Sequence, residues 1–225
     1  MRAPTGAGKT LAVLVPFLFD RRSLGVSRLI YALPLRTLVH GVFAEARRVS
    51  EAAGLPVNLV TMQTGEHPDD PFFDLGSIIV TTYDQVLSGL LGYPYGLSPR
   101  LRNINAAAIV GSVVIFDEFH LMEPSRAFLT SVSCLKLFDG LCLSVWMTAT
   151  GTSALEVILK NVLGCEPIPA CEADFSAMLR ALPSVSRVSR HIVRERSPMT
   201  ARRILELHRE RSIVVTNTIG RAQAI

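Results

Sequence analysis

Ala3-Pro4-Thr5-Gly6-Ala7-Gly8-Lys9-Thr10 is the stretch on which the reading of this chain turns. It follows the phosphate-loop pattern G-x-x-x-x-G-K-[ST], with Ala3 in place of the first glycine. Glycines let backbone N–H groups curl around phosphate oxygens, and the N-terminus of the following helix adds a favourable dipole. Lys9 would reach the β- and γ-phosphates of a nucleotide, and the Thr10 hydroxyl would ligate Mg²⁺. The candidate nucleotide-binding residues are thus Thr5, Gly6, Ala7, Gly8, Lys9 and Thr10. Taken alone, the octamer also reads as a plain glycine-rich turn. A phosphate loop should follow a buried strand, and only Met1 and Arg2 come before this one. The expectation is a domain lacking its first strand; the other possibility is a chain that forms no working nucleotide site.

Beyond the loop, short apolar runs alternate with longer helical patterns. Strands are expected at 28–33, 57–62, 77–81, 112–116, 141–147 and 212–216, mostly without strict polar alternation, as in strands buried on both faces. Helices are expected at 37–53, 83–91, 125–138, 153–163 and 200–211. This order argues for an α/β chain with a mostly parallel sheet and helices on both faces. The Gly-, Pro- and Arg-rich segment 92–105 reads as a surface loop, and the proline-rich segment 165–198 as a boundary. The expected division is 1–164 for a first domain and 165–225 for a linker and the start of a second.

Composition sets limits. Hydrophobic residues make up 49% of the 225 and charged residues 19%, which supplies a core and argues against global disorder. The apolar run 11–19 is too short to span a bilayer and is followed by Asp20, Arg21 and Arg22, so neither a membrane span nor a secretory signal is expected. A net charge of +4 raises the expectation of nucleic-acid binding only slightly. Cys134, Cys142, Cys165 and Cys171 show no C-x-x-C spacing, which suits reduced thiols in a cytoplasmic protein rather than a zinc site.

The second informative stretch is Val113-Val114-Ile115-Phe116-Asp117-Glu118-Phe119-His120. An apolar strand that delivers an aspartate at its C-terminal end beside a phosphate loop is a Walker B arrangement. Asp117 would hold Mg²⁺, mostly through water, and Glu118 would act as general base on the attacking water. The plainer alternative is a solvated acidic turn, and His120 by itself reads as an ordinary histidine. A third strand ends in Met147-Thr148-Ala149-Thr150.

In this order, the three matches resemble motifs I, II and III of the DEAD/DEAH-box superfamily 2 helicases. The resemblance implies a RecA-like P-loop NTPase domain, with ATP and Mg²⁺ as cofactors and the start of a second RecA-like domain. It groups Lys9, Glu118 and His120 as catalytic, with Asp117-Glu118-Phe119-His120 as a DEAH variant. Thr148, Ala149 and Thr150 would couple the ATP site to movement on nucleic acid, the two hydroxyls bonding the 117–120 segment. Leu33-Pro34-Leu35-Arg36-Thr37, Gln63-Thr64-Gly65 and Thr81-Thr82 resemble motifs Ia, Ib and Ic, which implies phosphate contacts at Pro34, Arg36, Thr37, Gly65, Thr81 and Thr82. Val215 to Gln223 resembles motif IV, which adds Asn217 and Thr218.

The wording of several motifs, among them Ala32-Leu33-Pro34 with Arg36 and Thr81-Thr82-Tyr83-Asp84-Gln85, is similar to the CRISPR-associated helicase of type I systems. That resemblance implies single-stranded DNA as track (RNA is not excluded), a guide-RNA surveillance complex as recruiter, and a nuclease domain or subunit upstream. Rival readings are the motor of a restriction or repair translocase, or a non-catalytic nucleic-acid-binding fragment. The chain reads as truncated at both ends, and because it ends at Ile225, before motifs V and VI, poor ATP hydrolysis by it alone is expected.

Overall fold

The computed structural model describes residues 1–98, 100–150, 153–169, 171–181 and 200–208, together with 214, 215, 220 and 223. The chain divides into two compact units, Met1–Ser186 and Arg187–Ile225.

Among the described residues, the first unit is built on five strands: β1 (Arg28–Leu33), β2 (Val60–Gln63), β3 (Ile78–Thr82), β4 (Ser112–Asp117) and β5 (Leu143–Met147). They lie in the order β2-β3-β1-β4-β5, and every pairing is parallel. Parallel neighbours need crossovers, and helices provide most of them. After α1 (Lys9–Asp20), α2 (Arg36–Ala52) joins β1 to β2, while α3 (Tyr83–Leu90) and α4 (Arg102–Ile109) join β3 to β4. A π-helical turn (Pro124–Phe128) and α5 (Leu129–Leu137) lead to β5, and α6 (Ser153–Leu163) and α7 (Glu172–Ala181) follow it. In the second unit, the described helix is α8 (Ala201–Leu207), where the Thr200 side chain accepts the Arg203 N–H.

Each central strand divides its side chains between two cores, as a period of two requires. Leu29, Tyr31 and Leu33 of β1 and Val113 and Ile115 of β4 pack with Leu14 and Phe17 of α1 on one face. Ile30, Ala32, Val114 and Phe116 pack on the other, with Phe128, Val132 and Trp146. The Phe116 and Trp146 rings stack with centroids 4.5 Å apart.

Several expectations need correction. The loop expected at 92–105 ends earlier, at α4, whose buried Asn105, Ala108 and Ile109 form one helical stripe; Asn105 Nδ2 also donates to Pro71 O at 2.8 Å. The helix expected at 125–138 opens as the π-helical turn, with Glu123 capping Ser125. The segment 165–198, read as a proline-rich boundary, contains α7. The expected strand at 212–216 lies largely outside the described residues, as do Asn217 and Thr218.

The residues before the loop pair as a lead-in strand would. Arg2 pairs in parallel with Thr148, the Thr148 N–H donates to Met1 O at 3.1 Å, and the Ala3 N–H donates to Thr148 O at 3.1 Å. On the other side, Arg2 N–H donates to Ile168 O at 2.7 Å. Residues 1–3 are thereby held beside β5, with Ala3 buried.

Candidate nucleotide site and nucleic-acid face

Because all five strands run parallel, their C-terminal ends deliver Leu33, Gln63, Thr82, Asp117 and Met147 to one edge of the sheet. In open α/β sheets that edge is where ligands bind. The loop that follows Ala3 opens onto it. Gly6 and Gly8 hold φ of +80° and +82°, a region that only glycine enters freely, and a Cβ at either would meet nothing within 4 Å. The space above the loop is therefore open to a ligand, and Gly8 leads directly into α1.

Lys9 is buried, with Nζ 3.0 Å from Ala3 O and 3.6 Å from Glu118 Oε1. Asp117 is also buried. Its Oδ1 accepts the Glu118 N–H at 2.9 Å, and its Oδ2 accepts the Tyr31 hydroxyl at 2.7 Å. Burial, opposed by the Tyr31 hydrogen bond, pushes the Asp117 carboxyl above its ordinary range, and the neighbouring Glu118 charge adds to the rise. The Tyr83 hydroxyl donates to the Asp117 main-chain oxygen. Burial and the same carboxylate push both tyrosine hydroxyls up.

Glu118 adopts φ +55°, a left-handed conformation that costs a residue with a side chain about 1–2 kcal/mol. That turn lets a carboxylate one position past the strand point back across its end. Glu118 Oε2 lies 3.4 Å from the Ala149 N–H and 3.4 Å from His120 Nδ1. His120 Nδ1 is also 2.7 Å from Thr148 Oγ1, which accepts the Thr150 N–H at 3.0 Å. The stretches around 118 and 148 are thus hydrogen-bonded to each other. Among the described residues the link uses the Thr148 hydroxyl; Thr150 contributes its backbone, which corrects the expectation that both hydroxyls bond the 117–120 segment.

On the expected nucleic-acid face the residues divide. Pro34 is partly exposed, and Arg36, Thr37 and Gly65 are exposed beyond the ends of β1 and β2, the strands on either side of β3. Arg36 Nη1 is held by Glu66 Oε1 at 2.8 Å, and a Cβ on Gly65 would meet Arg36 Nη2 at 3.2 Å. Thr81 is fully buried and its hydroxyl donates to Gln63 O at 2.6 Å, so its side chain is not at the surface. Thr82 occupies the N-cap position of α3 but its side chain caps nothing. Sequence reasoning missed Tyr31, hidden in the apolar run of β1, and gave no role to Tyr83, although Tyr83 stands within the quoted stretch Thr81–Gln85. It also missed Asp70, fully buried, which accepts the Thr61 hydroxyl at 2.9 Å and the N–H groups of Asp74, Leu75 and Gly76, so fixing the turn that follows β2.

A parallel sheet carrying a glycine-rich loop and an acidic strand end at one edge defines a RecA-like domain. More narrowly, the chain belongs to the DEAD/DEAH box helicase family, whose sequence model matches residues 1–158. No curated protein sequence matches it. Among solved structures, the helicase domain of Pyrococcus furiosus Hef is similar with TM-score 0.56 and 23% identity, over 74% of this chain and 33% of that one. The T. fusca Cas3-ATP structure is similar with TM-score 0.57 and 19% identity, over 72% of this chain and 20% of its own. Mycobacterium smegmatis Lhr, solved bound to ssDNA and AMP-PNP, is similar with TM-score 0.51 and 22% identity, over 74% and 22%. The chain therefore spans between 20% and 33% of those chains. Among the described residues no helix is long and apolar enough to cross a membrane.

Proposed function

We propose that residues 1–164 form the ATP-binding half of a nucleic-acid motor. The observation that carries this reading is the convergence of Lys9, Thr10, Asp117 and Glu118 at one sheet edge, with Glu118 tied through His120 and Ala149 to the end of β5. The donor set fits a magnesium nucleotide: Thr10 and Asp117 offer oxygens to the cation, and Lys9 offers charge to the phosphates. Bound there, Mg²⁺ would neutralise charge on the transferring phosphoryl group. The chain's own residues do the rest. Gly6 and Gly8 open backbone N–H groups to phosphate, Glu118 takes a proton from the attacking water, and Thr148 passes rearrangement at His120 to the strand end.

Arg36, Thr37, Gly65 and Pro34 would grip a single strand by its phosphates, a sequence-blind contact. Thr82 joins them at the head of α3, and Thr81 contributes through its backbone position only. Asn217 and Thr218, in a second RecA-like domain beginning within 165–225, are assigned to nucleic acid as well. The motif wording favours the CRISPR-associated helicase branch, with single-stranded DNA as track, a guide-RNA complex as recruiter and a nuclease upstream. A restriction or repair translocase shares the same motifs.

The test is calorimetric titration of Mg-ATP into the 225-residue chain. Saturable binding lost in Lys9→Ala supports the reading. No binding by a folded chain defeats it and leaves the non-catalytic alternative.

A further inference from the structure

Between the two oxygens assigned to magnesium stands a side chain that lies outside the motif stretches read from the sequence. Tyr31 is fully buried in β1. Its register partner on β4 is Ile115, and Asp117, two residues on, faces the same side of the sheet. The phenol hydroxyl consequently donates to Asp117 Oδ2 at 2.7 Å while lying 3.4 Å from Thr10 Oγ1 on α1, which packs on that face.

A phenol has one proton and can still accept. With the proton committed to the shorter contact, the Tyr31 oxygen accepts from Thr10. That directs the threonine proton inward and leaves its lone pairs facing the open loop, where a cation would need them. Asp117 is held twice, by Tyr31 at Oδ2 and by the Glu118 N–H at Oδ1, so its carboxylate has no free rotation.

We propose that Tyr31 is a positioning residue for the divalent cation: through one hydroxyl it orients Thr10 and Asp117 together, so that the loop and the acidic strand end present a single cation site. This rests on the assignment of Thr5–Thr10 and Asp117 to a magnesium nucleotide. It adds a residue to that site and makes cation affinity, rather than nucleotide affinity, the property that depends on it.

The experiment is calorimetry of ADP binding to the full chain, in Mg²⁺ and again in EDTA, for the native protein, Tyr31→Phe and Tyr83→Phe. Phenylalanine keeps the ring and its packing; circular dichroism checks the fold. In Tyr31→Phe, the gain in ADP affinity on adding Mg²⁺ falls by about tenfold, as when an orienting partner of a metal ligand is lost, while affinity in EDTA stays within about twofold. Tyr83 is the control, because its hydroxyl bonds the main chain of Asp117 rather than the carboxylate, and its loss should leave the magnesium gain intact. Equal losses with and without Mg²⁺ in Tyr31→Phe would reveal a structural role only and overturn the proposal. So would an unchanged magnesium gain, or a Tyr83→Phe that loses it as strongly. If the native chain binds no ADP in either condition, the nucleotide assignment itself fails, an outcome distinct from all of these.

Discussion

Lys9 Nζ and Glu118 Oε1 stand 3.6 Å apart, joining the group proposed to hold phosphate to the group proposed to activate water. Each limits the other's freedom. An incoming phosphate must draw Lys9 away from that carboxylate, and only then is Glu118 free to accept a proton.

Glu118→Gln should therefore separate binding from chemistry. The amide keeps an oxygen for the Ala149 N–H but removes the negative charge facing Lys9, so Mg-ATP binding is retained or tightened. Hydrolysis by any longer form of the protein that turns over should fall by about 10²–10⁴-fold, the usual contribution of a general base. Parallel calorimetry and phosphate-release assays check this; loss of binding together with hydrolysis would show that Glu118 supports the fold of the site.

Arg36 is neutralised by Glu66 at 2.8 Å, so a phosphate on this face must compete with a carboxylate. Both partners are more than half exposed, and breaking the pair costs little stability. Glu66→Gln should strengthen single-stranded DNA binding, and Arg36→Ala should weaken it at every sequence. The slope of log affinity against log salt should lessen by about 0.7 in Arg36→Ala, the value for one phosphate contact on a single strand. Fluorescence anisotropy across a salt series reads both effects, and an unchanged slope removes Arg36 from the strand path.

How far the sequence could be read depended on periodicity and on tertiary contacts. The strand expected at 28–33 and the helix expected at 153–163 match Arg28–Leu33 and Ser153–Leu163. The helix carries a clear apolar period, and the strand is a short continuous apolar run closed by Pro34. The chemistry-bearing ends of β4 and β5 were legible because Asp117-Glu118 and Thr148-Ala149-Thr150 follow apolar strands directly. What periodicity could not reveal is which polar atoms meet across strands. Thr81 was expected at the surface, yet it points inward to the Gln63 carbonyl on the neighbouring strand. Tyr31 looked like one more apolar residue of β1, and only the parallel register sets its hydroxyl beside Asp117. Helix α4 went unseen because Gly92, Pro94 and Gly96 dominate the segment before it.

Asp70 has no motif and a large structural task. It is fully buried and gathers one hydroxyl and three backbone N–H groups around the connection from β2 to β3. Asp70→Asn leaves one carbonyl oxygen where two carboxylate oxygens accepted, and turns an NH₂ toward donors. Unfolding in urea should show a loss of about 1.5–3 kcal/mol, the worth of a hydrogen bond to a charged group. Because this connection carries Gly65 and Glu66, strand binding should weaken as well. A variant of native stability would mean that the turn is fixed by its other contacts, such as Gln63 Oε1 to the Asp70 N–H at 3.1 Å.

Asp117 should make the chain's stability depend on pH in the direction opposite to a salt-bridged carboxylate. Burial raises its folded-state pKa above the ordinary 3.8, so the native state binds this proton more tightly than the unfolded state does. The associated stability is fully present below 3.8 and is lost as pH rises through the folded value. At neutral pH the ionised group therefore burdens the fold. Asp117→Asn removes that burden while keeping its partners: the amide oxygen can accept the Glu118 N–H, and the NH₂ can donate to the Tyr31 oxygen. Thermal melts should give the variant the higher Tm at pH 7, with the difference shrinking as the pH is lowered toward 3.8. Added Mg-ADP should reverse the order at pH 7 by stabilising only the native carboxylate, since a ligand that binds the folded form raises its Tm. A Tm difference that stays constant with pH would locate the effect in packing instead of buried charge.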